Sequence, residues 1–325
     1  MMMKKTLIAS AVVATLGAAS AQAATIAETD TTKVDMYGRI NLILENDDGN
    51  NAIADNGSRI GFKASDQIND DLKAFARAEF RFPADDRDNK DDGVFQDLRN
   101  TYAGLEGGFG KLTVGNFDGL YYQSTSSVLD MMENTGYRAL VEGGDRARGD
   151  TIAFETADLG GMQFGIGAKH YKEDTIDGTA YDEAFNLQAY GQFNLVENLT
   201  LAVAFDQNNE DTPDGGEDPI IGAQATYEMD VLAASVLFET AGDWMHIGAG
   251  GSYGYGSGDI YGLVSMIDDG TDMGMDLAVG ANYKFSKSLR TYGEFAMGND
   301  KPVQNAADKT VGDKSVMTLG LRYDW

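Results

Sequence analysis

The last eleven residues of the sequence alternate between apolar and polar side chains. The apolar face carries Met317, Leu319, Leu321, Tyr323 and Trp325. Successive side chains of a strand point to opposite faces, so this segment is a strand with one apolar side. A soluble domain seldom ends on such a strand, because free termini usually fray. A membrane barrel must pair its last strand with its first, since no open strand edge can face lipid.

The same period of two recurs along the chain. Apolar residues share one parity over 33–45, 72–82 and 199–206, and the opposite face of 72–82 carries charged residues. In a soluble sandwich the apolar face would cover a core and the charged face would meet water. In a large barrel the apolar face would meet lipid and the charged face would line a wet lumen. Alternation alone leaves both interpretations open.

The number and spacing of these segments favour the barrel. Strands are predicted at 33–45, 57–66, 72–82, 97–106, 110–117, 150–157, 163–171, 183–193, 199–206, 220–229, 231–240, 244–253, 259–267, 273–285, 289–299 and 315–325. Short and long connections tend to alternate, and outer-membrane barrels likewise have short turns at one rim and long loops at the other. The connections 241–243 and 254–258 fit this alternation poorly. The predicted fold is all-β, a 16-stranded antiparallel transmembrane β-barrel.

The front of the sequence has the pattern of an export signal. Lys4 and Lys5 precede a short apolar stretch, and Ala21-Gln22-Ala23 has the small-x-small pattern of a cleavage site. We therefore expect a signal peptide over 1–23 and a mature domain over 24–325. The alternative, a short membrane anchor, is disfavoured because the apolar run is shorter than a spanning helix requires.

The chain is strongly acidic, with a formal charge of −27, and loss of the two signal lysines would make it −29. Such a chain repels nucleic acid. The acidic residues concentrate in the predicted long connections, where they either solvate the surface or attract cations. If they attract cations, divalent ions could bridge these carboxylates to anionic lipid headgroups. The sequence contains no cysteine, so disulfides do not hold the fold.

No enzyme template fits. The two histidines, His170 and His246, lie far apart without the spacing of metal ligands, and each is expected to be an ordinary strand side chain. The sequence has neither a Gly-x-Ser-x-Gly elbow nor a Gly-Lys-Ser/Thr phosphate loop. We predict no catalytic residue, metal site or cofactor.

The longest predicted connection, 118–149, is rich in apolar residues, and a loop of that composition needs a surface to pack against. Its acidic residues are Asp130, Glu133, Glu142 and Asp145. The inward parity of neighbouring strands carries Arg59, Lys63, Arg77, Arg81 and Arg99. If the loop folds into the lumen, the two sets face each other across a narrowed pore and create a transverse field. The alternative is an external lid or a contact with a neighbouring subunit.

Several segments resemble the general diffusion porins of Gram-negative bacteria. They are Val34-Asp-Met-Tyr-Gly-Arg-Ile, Ser58-Arg-Ile-Gly-Phe-Lys, Leu98-Arg-Asn-Thr-Tyr-Ala-Gly-Leu, Gly110-Lys-Leu-Thr-Val-Gly-Asn and Leu319-Gly-Leu-Arg-Tyr-Asp-Trp. The resemblance implies a homotrimer in the outer membrane, in contact with its lipid and lipopolysaccharide. It also implies a long third loop that constricts the pore, and passive diffusion of small hydrophilic solutes.

The resemblance also assigns site residues. Arg59 and Arg99 match wall arginines, Asp130 and Glu133 match acids of the constricting loop, and Arg146 or Arg148 matches the arginine that closes it. Tyr323 and Trp325 form the terminal signal that the barrel-assembly machinery recognises, with Trp where Phe is usual.

Four functions are compatible with these observations. The first is an open, water-filled channel, for which the acidic charge predicts a modest cation preference. The others are a substrate-specific porin, a surface adhesin or receptor, and a soluble secreted β protein.

Overall fold

The computed structural model describes residues 23–47, 49–85, 95, 97–136, 139–140, 149–176, 179–209, 216, 218–298 and 315–325. The strands in these ranges are β1 (Ala24–Glu28), β2 (Thr32–Asp47), β3 (Asn50–Asp55), β4 (Arg59–Asn69), β5 (Leu72–Arg81), β6 (Asp97–Gly107), β7 (Gly110–Asn116), β8 (Asp150–Thr156), β9 (Met162–Tyr171), β10 (Asp174–Ile176), β11 (Thr179–Tyr181), β12 (Ala184–Val196), β13 (Leu199–Asp206), β14 (Ile220–Met229), β15 (Leu232–Ala241), β16 (Trp244–Gly254), β17 (Asp259–Asp268), β18 (Met273–Lys284), β19 (Leu289–Gly298) and β20 (Ser315–Asp324). The helical segments are α1 (Leu120–Ser124) and a 3-10 helix (Ser126–Leu129).

Sixteen of these strands close into one antiparallel barrel in the described part of the chain. Each pairs with the next from β4 to β9 and from β12 to β20, and β9 pairs with β12. The ring closes because β2 pairs with β4 on one side and with β20 on the other. All sixteen predicted strands are present, with ends within three residues of those expected. The predicted barrel is therefore confirmed.

The exposed face of the barrel strands is the apolar one. In β20, Met317 is 54% exposed and Leu319 56%, whereas Thr318 and Arg322 are buried. The same alternation runs along β13, β15 and β18. A soluble β protein would bury its apolar face. The outer surface therefore suits hydrocarbon, and the polar or small side chains face the interior of the ring.

Two short strands extend the pairing of β2 and were not predicted. β1 pairs with 33–36 on the edge that β20 occupies further along, and β3 pairs with 42–47 on the edge shared with β4. Each is too short to show a clear alternation, because five or six residues complete barely three repeats of period two. They leave β2 with four strand neighbours.

The ends of the ring meet at β2 and β20. Gly38 and Trp325 exchange two backbone hydrogen bonds, with N–O distances of 3.0 and 3.1 Å. The indole of Trp325 lies so close over Gly38 that any Cβ there would overlap it. Arg39 Nε donates to Asp324 Oδ1 at 3.0 Å, which joins residues 285 positions apart.

The connection between β7 and β8 carries much of the buried apolar volume. Tyr121, Leu120 and Leu129 are the largest of the fully buried side chains in the described ranges. Helical structure was not predicted here. It is stabilised locally, because Ser124 Oγ and Thr125 Oγ1 donate to the carbonyl oxygens of the preceding turn. None of the described helices has the length and hydrophobicity that a membrane span requires.

Candidate functional site

The five predicted wall cations lie together on β4, β5 and β6. We call them, with Glu79, the basic cluster: Arg59, Lys63, Arg77, Arg81, Arg99 and Glu79. Cross-strand register places Arg59 opposite Arg81 and Lys63 opposite Arg77. The pairing of β5 with β6 shifts between Glu79 and Phe80, and this irregularity gives Arg99 access to the same face as Asn100.

Glu79 is the centre of the basic cluster and is fully buried. Its carboxylate lies 2.6 Å from Arg77 Nη2, 3.2 Å from Arg99 Nη1 and 3.7 Å from Arg59 Nη1. The Tyr37 hydroxyl donates to it at 2.8 Å, and Arg77 Nε donates to that hydroxyl at 2.7 Å. Glu79 thus holds Arg77 and Arg99 by charge-assisted hydrogen bonds and attracts Arg59 as an ion pair.

The residues that follow β7 cover a different part of the wall. The loop segment, 117–136 and 139–140, places α1 against β9, β12 and β13, and the 3-10 helix against β14, β15 and β16. Tyr121 N donates to Gln188 Oε1 of β12 at 3.2 Å. The Leu129 side chain lies over Gly248 of β16. The apolar connection therefore has the packing surface that its composition predicted.

The loop acids Asp130 and Glu133 have separate partners. The Tyr122 hydroxyl donates to Asp130 Oδ2 at 2.5 Å. Glu133 is ion-paired with Arg290 of β19, and with Arg322 of β20 at 2.9 Å. These two arginines were not among the predicted site residues. The alternation could have indicated them, because residues two apart on a strand share a face. Arg290 has the same parity as Glu294 on β19, and Arg322 has the same parity as Thr318 on β20.

The tip of the loop segment is also fixed by backbone and amide contacts. Glu133 N and Asn134 N both donate to the carboxylate of Glu294, at 2.7 and 3.0 Å. The Asn134 amide contacts Glu45 and donates to Thr318 Oγ1 at 2.9 Å. The loop segment is therefore fastened to β2, β19 and β20 as well as to β9 and β12–β16.

Four predicted site residues, Glu142, Asp145, Arg146 and Arg148, lie outside the described residues, as does the predicted signal peptide apart from Ala23. Tyr323 is 48% exposed on the apolar outer face, and its ring stacks on that of Trp325 with centroids 6.3 Å apart. The predicted assembly signal is thus at the closing contact between β20 and β2.

The two histidines occupy unrelated places. His170 Nε2 lies 2.8 Å from exposed Glu183. His246 is fully buried, with Nδ1 2.6 Å from Glu239 and Nε2 2.5 Å from Ser265 Oγ. This order of side chains resembles that of a hydrolase, but all three are at most 1% exposed, which leaves a substrate no access. Among the described residues, no cluster of three or more histidines and carboxylates could hold a metal ion.

The sequence matches known proteins over most of its length. The profile of the Gram-negative porin family matches residues 9–302. A protein named monosaccharide porin, from Halomonas sp., is 30% identical over 94% of this chain and 92% of its own. Outer membrane porin F of Escherichia coli K12 is 29% identical over 70% of this chain and 56% of its own.

Solved porins share the fold. Salmonella typhi OmpF, in complex with daunomycin, superposes with a TM-score of 0.73 at 18% identity, covering 92% of this chain and 99% of that one. The anion-selective porin from Comamonas acidovorans gives 0.69 at 18% identity, covering 90% and 100%. At this identity the likeness concerns the fold alone. With the family match and the relatives' outer-membrane names, it shows that the chain belongs to the Gram-negative porin family and is an outer-membrane β-barrel.

Proposed function

We propose that this protein is a passive diffusion channel for small hydrophilic solutes and ions, constricted by the loop segment. The main support is the position of the loop segment on the ring. Its two helical segments contact β9 and β12–β16, and they meet buried polar side chains there, such as Gln188 and Glu239, whereas the basic cluster is on β4–β6. A solute passing through the lumen would then travel between the loop segment and the basic cluster.

The charges along this path are separated. The basic cluster contains five cationic side chains, three of which are ion-paired with Glu79. Glu239 of β15, beneath the loop segment, lies across the ring from the basic cluster. Glu45 of β2 and Glu294 of β19 contact the tip of the loop segment on the strands that lead from β15 back towards β4. Opposed charges fixed on two sides of a narrow aqueous gap order water and favour small polar solutes over apolar ones.

We expect modest cation preference, because the net charge of −29 after signal removal attracts cations to the mouth while the basic cluster opposes their passage. The measurement is the reversal potential of purified protein in planar bilayers under a KCl gradient. A reversal potential of cation sign, which shrinks at high salt as the charges are screened, is expected. A potential of anion sign would contradict this preference and leave the channel itself intact.

Arg59→Ala and Arg99→Ala are expected to change single-channel conductance and to increase cation preference, with the barrel still folded. Both side chains approach Glu79 from the interior, and lumen positions affect permeation more than stability. Lys73→Ala is the matched control, because Lys73 pairs with exposed Glu106 near the turn that follows β4. Unchanged conductance in both arginine variants would count against a constriction at the basic cluster.

A second candidate is a channel with a preference for neutral sugars. It is favoured by the relative of 30% identity that is named a monosaccharide porin. Liposome-swelling rates for a series of sugars decide between the two. Rates that depend only on solute size support general diffusion, whereas saturation or faster entry of one monosaccharide supports a specific channel.

The assembly and its partners complete the proposal. We infer a homotrimer without catalytic activity, exported with cleavage after Ala23, inserted by the barrel-assembly machinery and surrounded by lipopolysaccharide. A surface adhesin or receptor role for the acidic connections is compatible with channel function, because the two use different parts of the molecule.

A further inference from the structure

A three-residue arrangement recurs in the barrel wall. A tyrosine on one strand faces a glycine on the next strand, and that glycine faces a glutamate on the strand after it. The described strands contain it as Tyr37-Gly61-Glu79, Tyr190-Gly165-Glu155 and Tyr261-Gly280-Glu294. All nine residues are in cross-strand register, so we treat the arrangement as a motif of the wall.

The geometry of the motif is the same in each case. The phenol ring lies across the glycine so closely that a Cβ there would overlap it. The hydroxyl then reaches the glutamate and donates to it, at 2.8 Å for Tyr37, 2.8 Å for Tyr190 and 2.7 Å for Tyr261. Glycine weakens a strand because it has no side chain to pack, and an aromatic ring laid over it restores the packing.

The wall contains a fourth place with the glycine and the glutamate but without the tyrosine. Gly222 of β14 faces Glu239 of β15 in register. The residue on β13 that faces Gly222, where the motif would have tyrosine, is Ala204. We call Ala204, Gly222 and Glu239 the docking site.

The loop segment supplies the missing tyrosine. The Tyr121 hydroxyl and ring occupy the space where a Cβ of Gly222 would lie. Its hydroxyl donates to Glu239 Oε1 at 3.0 Å, and the side chain is completely buried. Tyr121 therefore makes the same two contacts, with glycine and with glutamate, that the wall tyrosines make.

Glu239 holds the loop segment at a second point. Leu140 N donates to Glu239 Oε2 at 3.0 Å, nineteen residues along the chain from Tyr121. The same oxygen lies 2.6 Å from His246 Nδ1. Because Tyr121, Leu140 and His246 all contact this one carboxylate, the orientation of Glu239 is fixed.

We propose that Tyr121 positions the loop segment by completing the wall motif at the docking site, which is free to accept it because residue 204 is alanine. This inference rests on the proposed constriction for its functional consequence, but docking itself is measurable separately. It assigns Tyr121, Ala204, Gly222 and Glu239 as positioning residues that set where the loop segment lies.

The test is to supply a competing tyrosine from the wall. In Ala204→Tyr, the new side chain can lie over Gly222 and donate to Glu239, as the wall tyrosines do, and so displace Tyr121. Gly222→Ala is a second variant, because its Cβ overlaps the Tyr121 hydroxyl without adding a large side chain to β13. Both are made in the full chain, and folding is verified by heat-modifiable electrophoretic mobility.

Loop docking is measured with a single cysteine, which the cysteine-free chain allows. Ser126 is the reporter position, because it lies in the 3-10 helix, is 0% exposed and has a hydroxyl without a hydrogen bond among the described residues. Ser126→Cys should react slowly with a water-soluble maleimide. Adding Ala204→Tyr or Gly222→Ala should raise that rate by about tenfold or more, which corresponds to ~1.4 kcal/mol of docking free energy.

The control is Gly165→Ala, which disturbs a wall motif that the loop segment does not complete. It should leave Ser126→Cys protected. Equal protection in the Ala204→Tyr and Gly222→Ala variants, or equal exposure in Gly165→Ala, overturns the inference. Faster labelling with unchanged single-channel conductance would uphold the docking and contradict the constriction.

Discussion

Glu79→Ala is expected to lower the free energy of unfolding by about 3–5 kcal/mol, because it removes a buried carboxylate from arginines that remain. Arg59, Arg77 and Arg99 have side chains that are 14%, 26% and 11% exposed, so water replaces the lost partner poorly. Any channels that form should be more anion-selective. Urea unfolding in lipid vesicles, followed by tryptophan fluorescence, measures the first effect, and the reversal potential measures the second.

Glu155→Ala is the matched control for Glu79→Ala. Glu155 belongs to the same wall motif, and the hydroxyl of Tyr190 donates to it. Among the described residues its cationic partner is Lys111, with a side chain that is 41% exposed. We expect a cost on the order of 1 kcal/mol, since water screens this pair. Equal costs for the two substitutions would show that the arginines do not depend on Glu79.

Trp325→Ala is expected to reduce the amount of folded barrel in outer membranes several-fold. The substitution uncovers Gly38 and removes the stacking on Tyr323, so the contact that closes β20 on β2 becomes weaker. The measurement is the heat-modifiable fraction in isolated outer membranes. Trp325→Phe is the control and should assemble normally, because it keeps an aromatic ring over Gly38. Normal assembly of Trp325→Ala would contradict a role of Trp325 in closing β20 on β2.

The strands could be predicted from the sequence because alternation is a local property. Each barrel strand shows it within its own ten or so residues, as β20 does, and the predicted cations of β4 and β5 lie on one face as their parity required. Arg99 of β6 reaches that face through the register shift beside Glu79, which alternation does not predict. A membrane barrel turns the apolar face outward to lipid, whereas a soluble β protein buries it, but the side chains alternate with a period of two in both cases.

The contacts of the loop segment could not be predicted in the same way. Glu133 pairs with arginines 157 and 189 residues away, and Tyr121 docks on Gly222 and Glu239 from two other strands. Such contacts depend on the register of the whole ring, because a shift of one residue would turn every facing side chain away. Composition showed only that the connection needed a surface to pack against.

The four neighbours of β2 have a kinetic consequence. Among the described strands, β20 alone completes its edge along 39–47, and the cost of closing so long a loop must be met before those hydrogen bonds form. Until then this edge of β2 has unpaired backbone groups, because β1 covers only 33–36. An open edge of this kind can pair with another molecule, so closure of the ring by β20 also removes a site of intermolecular pairing.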